Sequence, residues 1–462
     1  MTGCFRVALT TLISVLSAKP KALPSSLSPG SLSEKNSDLL NTGITTDTRA
    51  VNAGDIFVAL EGETFDGHNF VDMAIEKGAI AAIVRKGALP ETSTVPRLEV
   101  EDTLVAYQSL GNWWRSQKAI PVVAITGSVG KTTTKELLAA ALSLFGSVLK
   151  TQANYNNEIG VPKTLLGITS EHDYAVVEMG MRGPGEIALL SQIAQPAVAL
   201  ITNVGTAHIG RLGSREAIAT AKCELLREMP ADSTAVLNHD NPLLISTAAK
   251  VWSGKQITYG LEGGDVQGQL VDNRLTVNDV EIPLPLPGRH NALNLLGVIA
   301  TLQALNLDWK KLAQGFSVSM PGGRSQVHQL PNDIQLLDET YNAGVEAMIA
   351  ALQLLADTPG KRHIAVLGTM KELGAQSVPL HRHVGEMVRK LDIDHLLILA
   401  DPDEAKAMAA GADTVLSELF TTHEGLSNYL KDVMCAGDRI LFKASRSVEM
   451  DKVVTQLLQV LK

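Results

Sequence analysis

The segment that decides the fold is Thr126-Gly127-Ser128-Val129-Gly130-Lys131-Thr132-Thr133. An apolar run at residues 122–126 predicts a strand before it, and apolar residues at helical spacing predict a helix over residues 131–145 after it. Glycines between a strand and a helix let backbone N–H groups approach phosphate oxygens, and the helix N-terminus adds positive potential. The segment therefore predicts a phosphate site for ATP, in which Lys131 reaches the β- and γ-phosphates and Thr132 coordinates Mg²⁺.

One position departs from the general P-loop pattern G-x-x-x-x-G-K-[ST], because Ile125 stands where the first glycine would be. The alternative is an ordinary glycine turn followed by a helix that starts at a lysine. The predicted strand and helix on either side favour phosphate binding, so residues 127–133 are all expected to contact ATP.

Two further side chains are expected at the same edge of the sheet. Glu178 ends the apolar run at residues 174–178, so it is a candidate ligand for the Mg²⁺ that accompanies the nucleotide. His208 follows the next predicted strand, residues 198–204, and the carboxyl ends of parallel strands meet at one edge. The alternative for His208 is a loop histidine that lies at the surface or caps a helix.

Strands and helices alternate along most of the chain, which predicts α/β domains and, around the P-loop, a doubly wound parallel sheet. In the middle of the chain, strands at residues 122–126, 174–179 and 198–204 alternate with helices at residues 131–145, 185–194 and 214–229. After residue 334 the predicted strands are residues 363–368, 396–400 and 439–444, and the predicted helices are residues 380–391 and 448–461.

The length of 462 residues is about three times that of an average domain, so we expect three domains. A small α/β unit at residues 1–101 precedes the P-loop domain at residues 102–321. Pro321, Gly322 and Gly323 mark the second boundary. A third, Rossmann-like α/β domain at residues 322–462 completes the chain.

Composition and charge exclude several classes of protein. Aromatic residues make up 4% of the chain and the net charge is −9, which disfavours a nucleic-acid surface. Cys4, Cys223 and Cys435 lack metal-ligand spacing, so we expect reduced thiols in a cytoplasmic protein. Hydroxyl residues interrupt the apolar stretch at residues 5–18, which we interpret as a short helix rather than a signal peptide. No later run has the length of an integral membrane segment.

Several motifs around this core resemble the Mur ligase family, and the resemblance covers nearly the whole chain. In the central domain the motifs that follow the P-loop are Asn156-Asn157-Glu158-Ile159-Gly160-Val161-Pro162, Glu178-Met179-Gly180, Asn203 with His208, and Ala221-Lys222. In the first domain, the segments similar to the family's UDP-sugar-recognising domain are Thr46-Asp47-Thr48-Arg49 and Gly54-Asp55-Ile56-Phe57-Val58-Ala59-Leu60.

The C-terminal segments resemble the branch of that family that adds D-alanyl-D-alanine. They are Asp338-Glu339-Thr340-Tyr341-Asn342-Ala343, Val366-Leu367-Gly368-Thr369-Met370-Lys371-Glu372-Leu373-Gly374 and Lys443-Ala444-Ser445-Arg446-Ser447. Three departures from the pattern bear on the acceptor side. Thr369 replaces an aspartate, Gly344-Val345 replaces Asn-Pro, and Ala444 replaces a glycine.

The resemblance implies roles that residue type alone does not assign. It implies catalytic roles for Lys131, His208 and Lys222, with Lys222 carbamylated, and Mg²⁺ ligation by Thr132, Glu178, His208 and Lys222. It implies ATP contacts from Asn291, Asn294, Arg324 and Asp338, and UDP contacts from Thr46, Asp47, Thr48 and Arg49. Residue type alone favours structural alternatives for these positions. Lys222 would be a solvated surface lysine, and Asn291 and Asn294 would cap the N-terminus of a helix. Arg324 and Asp338 would form an interdomain ion pair, and Asp47 would cap a loop.

The activity implied by the resemblance is ATP-dependent ligation through an acyl phosphate. The substrates would be UDP-N-acetylmuramoyl-tripeptide and D-alanyl-D-alanine, and the product the pentapeptide precursor of peptidoglycan. We expect a monomer, with hinges near residues 101 and 321. The alternatives are a Mur or folylpolyglutamate-type ligase that adds a single amino acid, and a P-loop NTPase that ligates nothing.

Overall fold

The computed structural model describes residues 5–23 and 43–461 of the chain. Cys4 and much of the serine- and proline-rich segment at residues 20–37 lie outside the described residues. None of the helices formed by the described residues has both the length and the hydropathy that crossing a membrane requires.

The N-terminal part forms a five-stranded sheet with the strand order β1-β5-β4-β3-β2. Its elements are α1 (Leu9–Leu16), β1 (Lys19–Lys21), β2 (Ile44–Thr45), β3 (Ile56–Val58), α2 (Val71–Glu76), β4 (Ala81–Arg85) and β5 (Arg97–Val100). β1 pairs antiparallel with β5, and the other pairs are parallel. The helix predicted over residues 5–18 is shorter in the structure, because Ser17 adopts the left-handed conformation that ends it.

The central part is built on a seven-stranded sheet in which every pair of neighbouring strands is parallel. Its first elements are α3 (Thr103–Ser116), β6 (Val122–Thr126), α4 (Lys131–Leu142), β7 (Val148–Lys150), α5 (Gly160–Leu166), β8 (Tyr174–Glu178), α6 (Glu186–Ala194), β9 (Val198–Ile201), α7 (Ile209–Leu212) and α8 (Arg215–Glu228). They are followed by β10 (Thr234–Asn238), α9 (Pro242–Ala248), β11 (Lys255–Gly260), β12 (Val266–Gln267), β13 (Gln269–Val271), β14 (Arg274–Val277), β15 (Val280–Pro283) and α10 (Arg289–Ala304). Strands β13 to β15 form a separate antiparallel sheet.

Strand β6 occupies the point of the large sheet where the winding direction reverses. The strand order is β12-β11-β10-β9-β6-β8-β7, so β6 lies between β8 and β9. Alternate residues of β6 are buried on opposite faces: Val123 packs with α4 and α10, and Ala124 packs with α5, α6 and α8. Helices therefore cover both faces, which explains why these strands are apolar throughout and confirms the doubly wound prediction.

The C-terminal part has a six-stranded sheet with the order β16-β17-β21-β18-β19-β20. Its elements are β16 (Gln326–Leu330), β17 (Ile334–Asp338), α11 (Val345–Asp357), β18 (Arg362–Gly368), α12 (Ser377–Lys390), β19 (His395–Leu399), α13 (Pro402–Gly411), β20 (Leu416–Leu419), α14 (His423–Val433), β21 (Asp438–Lys443) and α15 (Asp451–Leu461). Only the edge strand β16 pairs antiparallel; the remaining strands of this sheet are parallel, as in Rossmann-like domains.

Several element ends differ from the sequence-based prediction for identifiable reasons. β9 ends at Ile201 rather than at residue 204, because Thr202 and Asn203 turn their side chains to the P-loop and donate to the carbonyl of Val129. The last helix begins at Asp451 rather than at residue 448, because Glu449 has a positive φ of 56°. The proposed domain boundaries at residues 101 and 321 fall between β5 and α3 and between α10 and β16.

Candidate active site

A cleft of about 330 Å³ lies at the carboxyl end of the central sheet, where the C-terminal domain faces the P-loop. Predicted residues that line it are Ser128, Val129, Gly130, Lys131, Thr132, Thr133, Glu178, Asn294 and Arg324. The C-terminal domain adds Glu339, Tyr341, Glu346 and Lys443. Because both domains contribute walls, a ligand in the cleft can contact groups of both domains.

The P-loop is held in shape by the loop that follows β9. Ser128 donates its backbone N–H to the Asn203 carbonyl at 3.1 Å, and Val129 donates its N–H to Asn203 Oδ1 at 3.1 Å. Helix α4 begins at Lys131 after Gly130, which has a φ of 83° and provides no side-chain cap. The first turn of α4 therefore presents backbone N–H groups to a ligand, as anion sites at helix N-termini do.

Replacing Gly127 by alanine is expected to distort the P-loop. A Cβ at this position would lie 1.9 Å from Thr202 Oγ1, and the backbone φ of 154° is one that side chains rarely adopt. We expect the free energy of unfolding to fall by about 1–3 kcal/mol. Thermal melting with and without ATP measures both the stability and the nucleotide-dependent shift. Gly322→Ala is the control, because a Cβ there meets open space; equal effects of the two changes would refute the steric argument.

Lys131 folds back over its own loop. Its Nζ donates to the carbonyls of Gly127 at 2.8 Å and Ser128 at 3.3 Å. Burial lowers the pKa of the Lys131 ammonium, the Glu178 carboxylate raises it, and Arg324 lowers it. The Lys131 ammonium can therefore contact a phosphate bound to the loop. Charged groups on both sides of the cleft change its pKa.

Glu178 ends β8 beside the P-loop, and its two carboxylate oxygens have different surroundings. Oε1 accepts a hydrogen bond from Asn156 Nδ2 at 2.8 Å. Oε2 is buried, lies 3.8 Å from Lys135 Nζ, and accepts no hydrogen bond from the part of the chain that the structure describes. A buried carboxylate oxygen without a donor, in a cleft that Thr132 also lines, fits a hard divalent cation such as Mg²⁺.

The C-terminal wall brings cationic groups opposite the P-loop. The Arg324 guanidinium stacks on the Tyr341 ring, 3.9 Å from its centroid. Lys443 Nζ lies 3.7 Å from Glu339 Oε2 and donates to the Asn342 carbonyl at 3.1 Å. Burial lowers the pKa of the Lys443 ammonium, and Glu339 opposes that shift. This wall can therefore offset the negative charge of phosphoryl or carboxylate groups.

Asp338 lies outside the lining of the cleft, although the sequence predicted it to contact ATP. It is buried at the end of β17, where Oδ1 accepts from the backbone N–H of Thr340 at 3.1 Å and from its hydroxyl at 2.6 Å. His328 Nε2 is 3.6 Å from Oδ2. In this structure its carboxylate shapes the turn that leads to Tyr341.

The two predicted asparagines of α10 have different positions. Asn294 lines the cleft, whereas Asn291 is buried behind it. Asn291 donates to the Pro287 carbonyl at 2.8 Å and accepts from Asn294 Nδ2 at 3.3 Å. No side chain caps the start of α10, so the helix-capping alternative for these residues is wrong. Asn291 orients Asn294.

His208 follows β9 and starts α7, but it does not line the cleft. Its backbone has a φ of 68°, and its Nδ1 lies 2.6 Å from Glu372 Oε2 of the C-terminal domain. Burial lowers the pKa of His208, Glu372 raises it, and the Lys131 and Lys222 ammonium groups lower it. The three residues predicted to be catalytic are therefore close enough to influence one another's charge.

Lys222 lies on α8 and is 2% exposed, so the alternative of a solvated surface lysine is wrong. Burial lowers the pKa of its amine well below the ordinary value, and Lys131 lowers it further. A buried amine with a depressed pKa loses its proton more readily and becomes a nucleophile.

The predicted UDP-binding turn lies in the N-terminal domain and does not line the cleft. Asp47 Oδ1 accepts from the backbone N–H of Arg49 at 2.9 Å and caps a 3₁₀ turn, so the capping role is present. The Arg49 guanidinium, 2.7 Å from Asp47 Oδ2, lowers the pKa of Asp47 to about 2. Thr46 and Thr48 flank the aspartate, and a contact with UDP remains a prediction for all four residues.

Three metal-ligand-type side chains, Glu61, Asp66 and His68, also approach one another in the N-terminal domain. His68 Nε2 accepts from the backbone N–H of Arg85 at 2.9 Å, and Nδ1 lies 2.7 Å from Asp66 Oδ1. Because Nε2 is the acceptor, Nδ1 carries the proton and donates to Asp66. Neither ring nitrogen keeps a lone pair for a metal, so this cluster is structural.

Besides Glu339, Tyr341 and Lys443 on the C-terminal wall, four residues around the site were not predicted to have a role. Asn156 belongs to a quoted motif, and Lys135 lies one helical turn after Lys131, so both had a weak sequence signal. Lys135 donates to the Thr151 carbonyl at 2.9 Å beneath Glu178. Glu346 and Glu372 contact the central domain from the C-terminal domain, and no local pattern reveals such a contact.

Three family models match consecutive parts of the chain. The Mur ligase family, catalytic domain, matches residues 41–112, the Mur ligase middle domain residues 125–302, and the Mur ligase, glutamate ligase domain residues 323–446. A UDP-N-acetylmuramoyl-tripeptide–D-alanyl-D-alanine ligase of Synechocystis is 54% identical over 93% of this chain and 94% of its own length. The ligase of the same name from Escherichia coli is 37% identical over 92% and 95%.

Solved structures of MurF ligases are also similar to this chain over most of its length. A crystal structure of MurF from Acinetobacter baumannii is 31% identical, with a TM-score of 0.87, and the match covers 99% of this chain and 100% of that one. A MurF ligase from Thermotoga maritima in complex with ADP is also 31% identical, with a TM-score of 0.81 over 92% of this chain and 99% of its own.

Proposed function

Because this chain belongs to the Mur ligase family, we propose that it is an ATP-dependent ligase that joins D-alanyl-D-alanine to UDP-N-acetylmuramoyl-tripeptide. The observation that carries the proposal is the cleft in which the P-loop faces Arg324 and Lys443 of the next domain. The relatives named as this ligase match over 93% and 92% of the chain, which supports the choice of substrates.

The reaction would begin with transfer of the γ-phosphoryl group of ATP to the terminal carboxylate of the tripeptide. The acyl phosphate supplies a leaving group that a carboxylate lacks. The amine of D-alanyl-D-alanine then attacks, and the tetrahedral intermediate collapses to the amide and phosphate. Lys131 from the P-loop, with Arg324 and Lys443 from the opposite wall, would offset the negative charge that develops in both steps.

Mg²⁺ is expected to bind at Thr132 and Glu178, with His208 and a carbamylated Lys222 near a second ion. When bound, Mg²⁺ acts as a Lewis acid toward phosphoryl oxygens. The chain's own part is to orient Glu178 through Asn156 and to keep Lys222 buried. A neutral amine can add to CO₂ and release a proton, which converts the lysine into an oxygen ligand.

The departures from the family pattern lie mainly behind the cleft. Thr369 is buried, and its hydroxyl accepts from the Asp401 backbone N–H at 2.8 Å. Ala444 is buried against Gly368, where an added Cβ would lie 2.7 Å from the Ala444 Cβ. Gly344 lines the cleft and Val345 is buried at the start of α11. Of these departures, Gly344 alone lines the cleft, whereas Thr369, Val345 and Ala444 lie outside its lining.

We expect kcat/KM to be about a hundredfold or more higher with D-alanyl-D-alanine than with D-alanine as the acceptor. A site that binds a dipeptide leaves buried polar groups unpaired when the second residue is missing. Purified protein with ATP, UDP-N-acetylmuramoyl-tripeptide and each acceptor, analysed for amide product, gives the ratio. Comparable product from D-alanine alone would favour the ligase that adds one amino acid, and phosphate release that needs no acceptor would favour the NTPase.

We also propose that the chain acts as a monomer in the cytoplasm. The cleft is built from one chain, and Cys223 and Cys435 are free thiols, which suits a reducing compartment. Light scattering of the purified protein tests the oligomeric state.

A further inference from the structure

Two glutamates of the C-terminal domain, Glu346 and Glu372, contact the loop that carries His208. We call residues 205–212 the His208 loop. Glu346, in the first turn of α11, accepts from the backbone N–H of Thr206 at 2.7 Å through Oε1. Its Oε2 accepts from the Thr206 hydroxyl at 3.0 Å. Both oxygens of one side chain are therefore used on a single residue of the other domain.

The far end of the His208 loop touches the same domain. Gly210 donates its backbone N–H to the Glu372 carbonyl at 3.1 Å, and the Glu372 side chain lies 2.6 Å from His208 Nδ1. A Cβ at Gly210 would lie 2.6 Å from the Gly374 backbone nitrogen, so the two backbones approach without room for a side chain. The C-terminal domain thus contacts the loop on both sides of His208.

The start of the His208 loop is tied to the P-loop. Gly205 donates its backbone N–H to Ser128 Oγ at 2.9 Å. The adjacent residue, Thr206, is the one that Glu346 holds. A continuous series of hydrogen bonds therefore runs from the P-loop through Gly205 and Thr206 to the C-terminal domain.

We propose that Glu346 is a positioning residue, which docks the C-terminal domain onto the His208 loop so that domain closure and the ordering of this loop are one event. The docking is inferred from the contacts alone. The expected effect on turnover rests on the proposed function. Glu346 lines the cleft, but both of its carboxylate oxygens bond to Thr206 of the loop, so its loss should slow turnover more than it weakens ATP binding.

Hydrogen exchange of the ligand-free protein tests the docking directly. In Glu346→Ala we expect amides of residues 205–212 to exchange about tenfold faster, because a hydrogen bond to a charged acceptor is lost. Glu346→Gln keeps an acceptor for the Thr206 N–H and should recover most of the protection. Glu424→Ala is the matched control, because Glu424 is an exposed carboxylate in the first turn of another helix of the same domain.

Kinetics supply the second readout. Glu346→Ala should lower kcat by about tenfold with the KM for ATP changed less than about twofold, and Glu346→Gln should restore kcat. Gly205→Ala breaks the contact from the other side, because its Cβ would lie 2.5 Å from the Glu346 carboxyl carbon. In Gly205→Ala, the amides of residues 205–212 should therefore exchange faster although Glu346 is still present. This variant provides the test if Glu346→Ala folds poorly.

Unchanged exchange of residues 205–212 in Glu346→Ala or, where that variant does not fold, in Gly205→Ala would overturn the proposal. A fall in kcat that Glu346→Gln does not restore would also overturn it. The exchange measurement uses no substrate. A chain that docks as described but makes no amide would therefore contradict the proposed function and leave the docking intact.

Discussion

Replacing Lys131 by alanine is expected to abolish ligation while the fold remains intact. We expect kcat to fall by about a thousandfold or more, because the P-loop cation is lost where phosphoryl charge is transferred. Among the described residues, the Lys131 ammonium donates hydrogen bonds only to the carbonyls of Gly127 and Ser128, which belong to its own loop. The helix that it begins is held by the buried residues Leu137 and Leu138, which the substitution does not touch.

Product formation and circular dichroism measure the activity and the fold of this variant. Lys250→Ala is the control, since Lys250 is an exposed lysine of the same domain and should retain full activity. Near-normal turnover of Lys131→Ala would show that the glycine turn is not the phosphate site.

Replacing Lys222 by alanine has the second-largest expected effect, a fall in kcat of about a hundredfold. Lys222 is 2% exposed, and its pKa is depressed by burial and then by Lys131. An unmodified ammonium there would repel a cation, whereas the carbamate formed from a neutral amine and CO₂ attracts one. Burial thus supports the carbamate that the family resemblance implies.

Chemical rescue distinguishes the carbamate from a structural lysine. Short-chain carboxylic acids should restore part of the activity of Lys222→Ala, because they return an oxygen ligand to the vacated space. The same acids should leave Lys131→Ala inactive, since a carboxylate cannot replace its positive charge. Full activity of Lys222→Ala without any acid would mean that the lysine has no part in the reaction.

Local patterns predicted the central domain well. The strand Val122–Thr126 and the start of the following helix at Lys131 agree with the prediction, because strand, glycine turn and helix are specified within one short segment. Glu178 was expected at the end of a neighbouring strand, and β8 does lie beside β6. The alternation of apolar strands with helices was sufficient to indicate a parallel, doubly wound sheet.

Contacts between distant segments could not be predicted in the same way. Asp338 ends β17, and its carboxylate bonds to Thr340 rather than lining the cleft, because a two-residue turn satisfies it locally. Glu346 lies 140 positions from Thr206, and only the docking of two domains brings them together. The burial of Lys222 likewise depends on helix packing that its neighbours in sequence do not reveal.

Isotope transfer distinguishes ligation through an acyl phosphate from hydrolysis of ATP by water. The terminal carboxylate of UDP-N-acetylmuramoyl-tripeptide is labelled with ¹⁸O, and the phosphate released with D-alanyl-D-alanine and ATP is analysed by mass spectrometry. We expect one labelled oxygen in each phosphate, in equal amount to the amide, because the carboxylate oxygen leaves with the phosphoryl group. Phosphate without the label would contradict this expectation, since ATP would then be hydrolysed by water rather than used to activate the carboxylate.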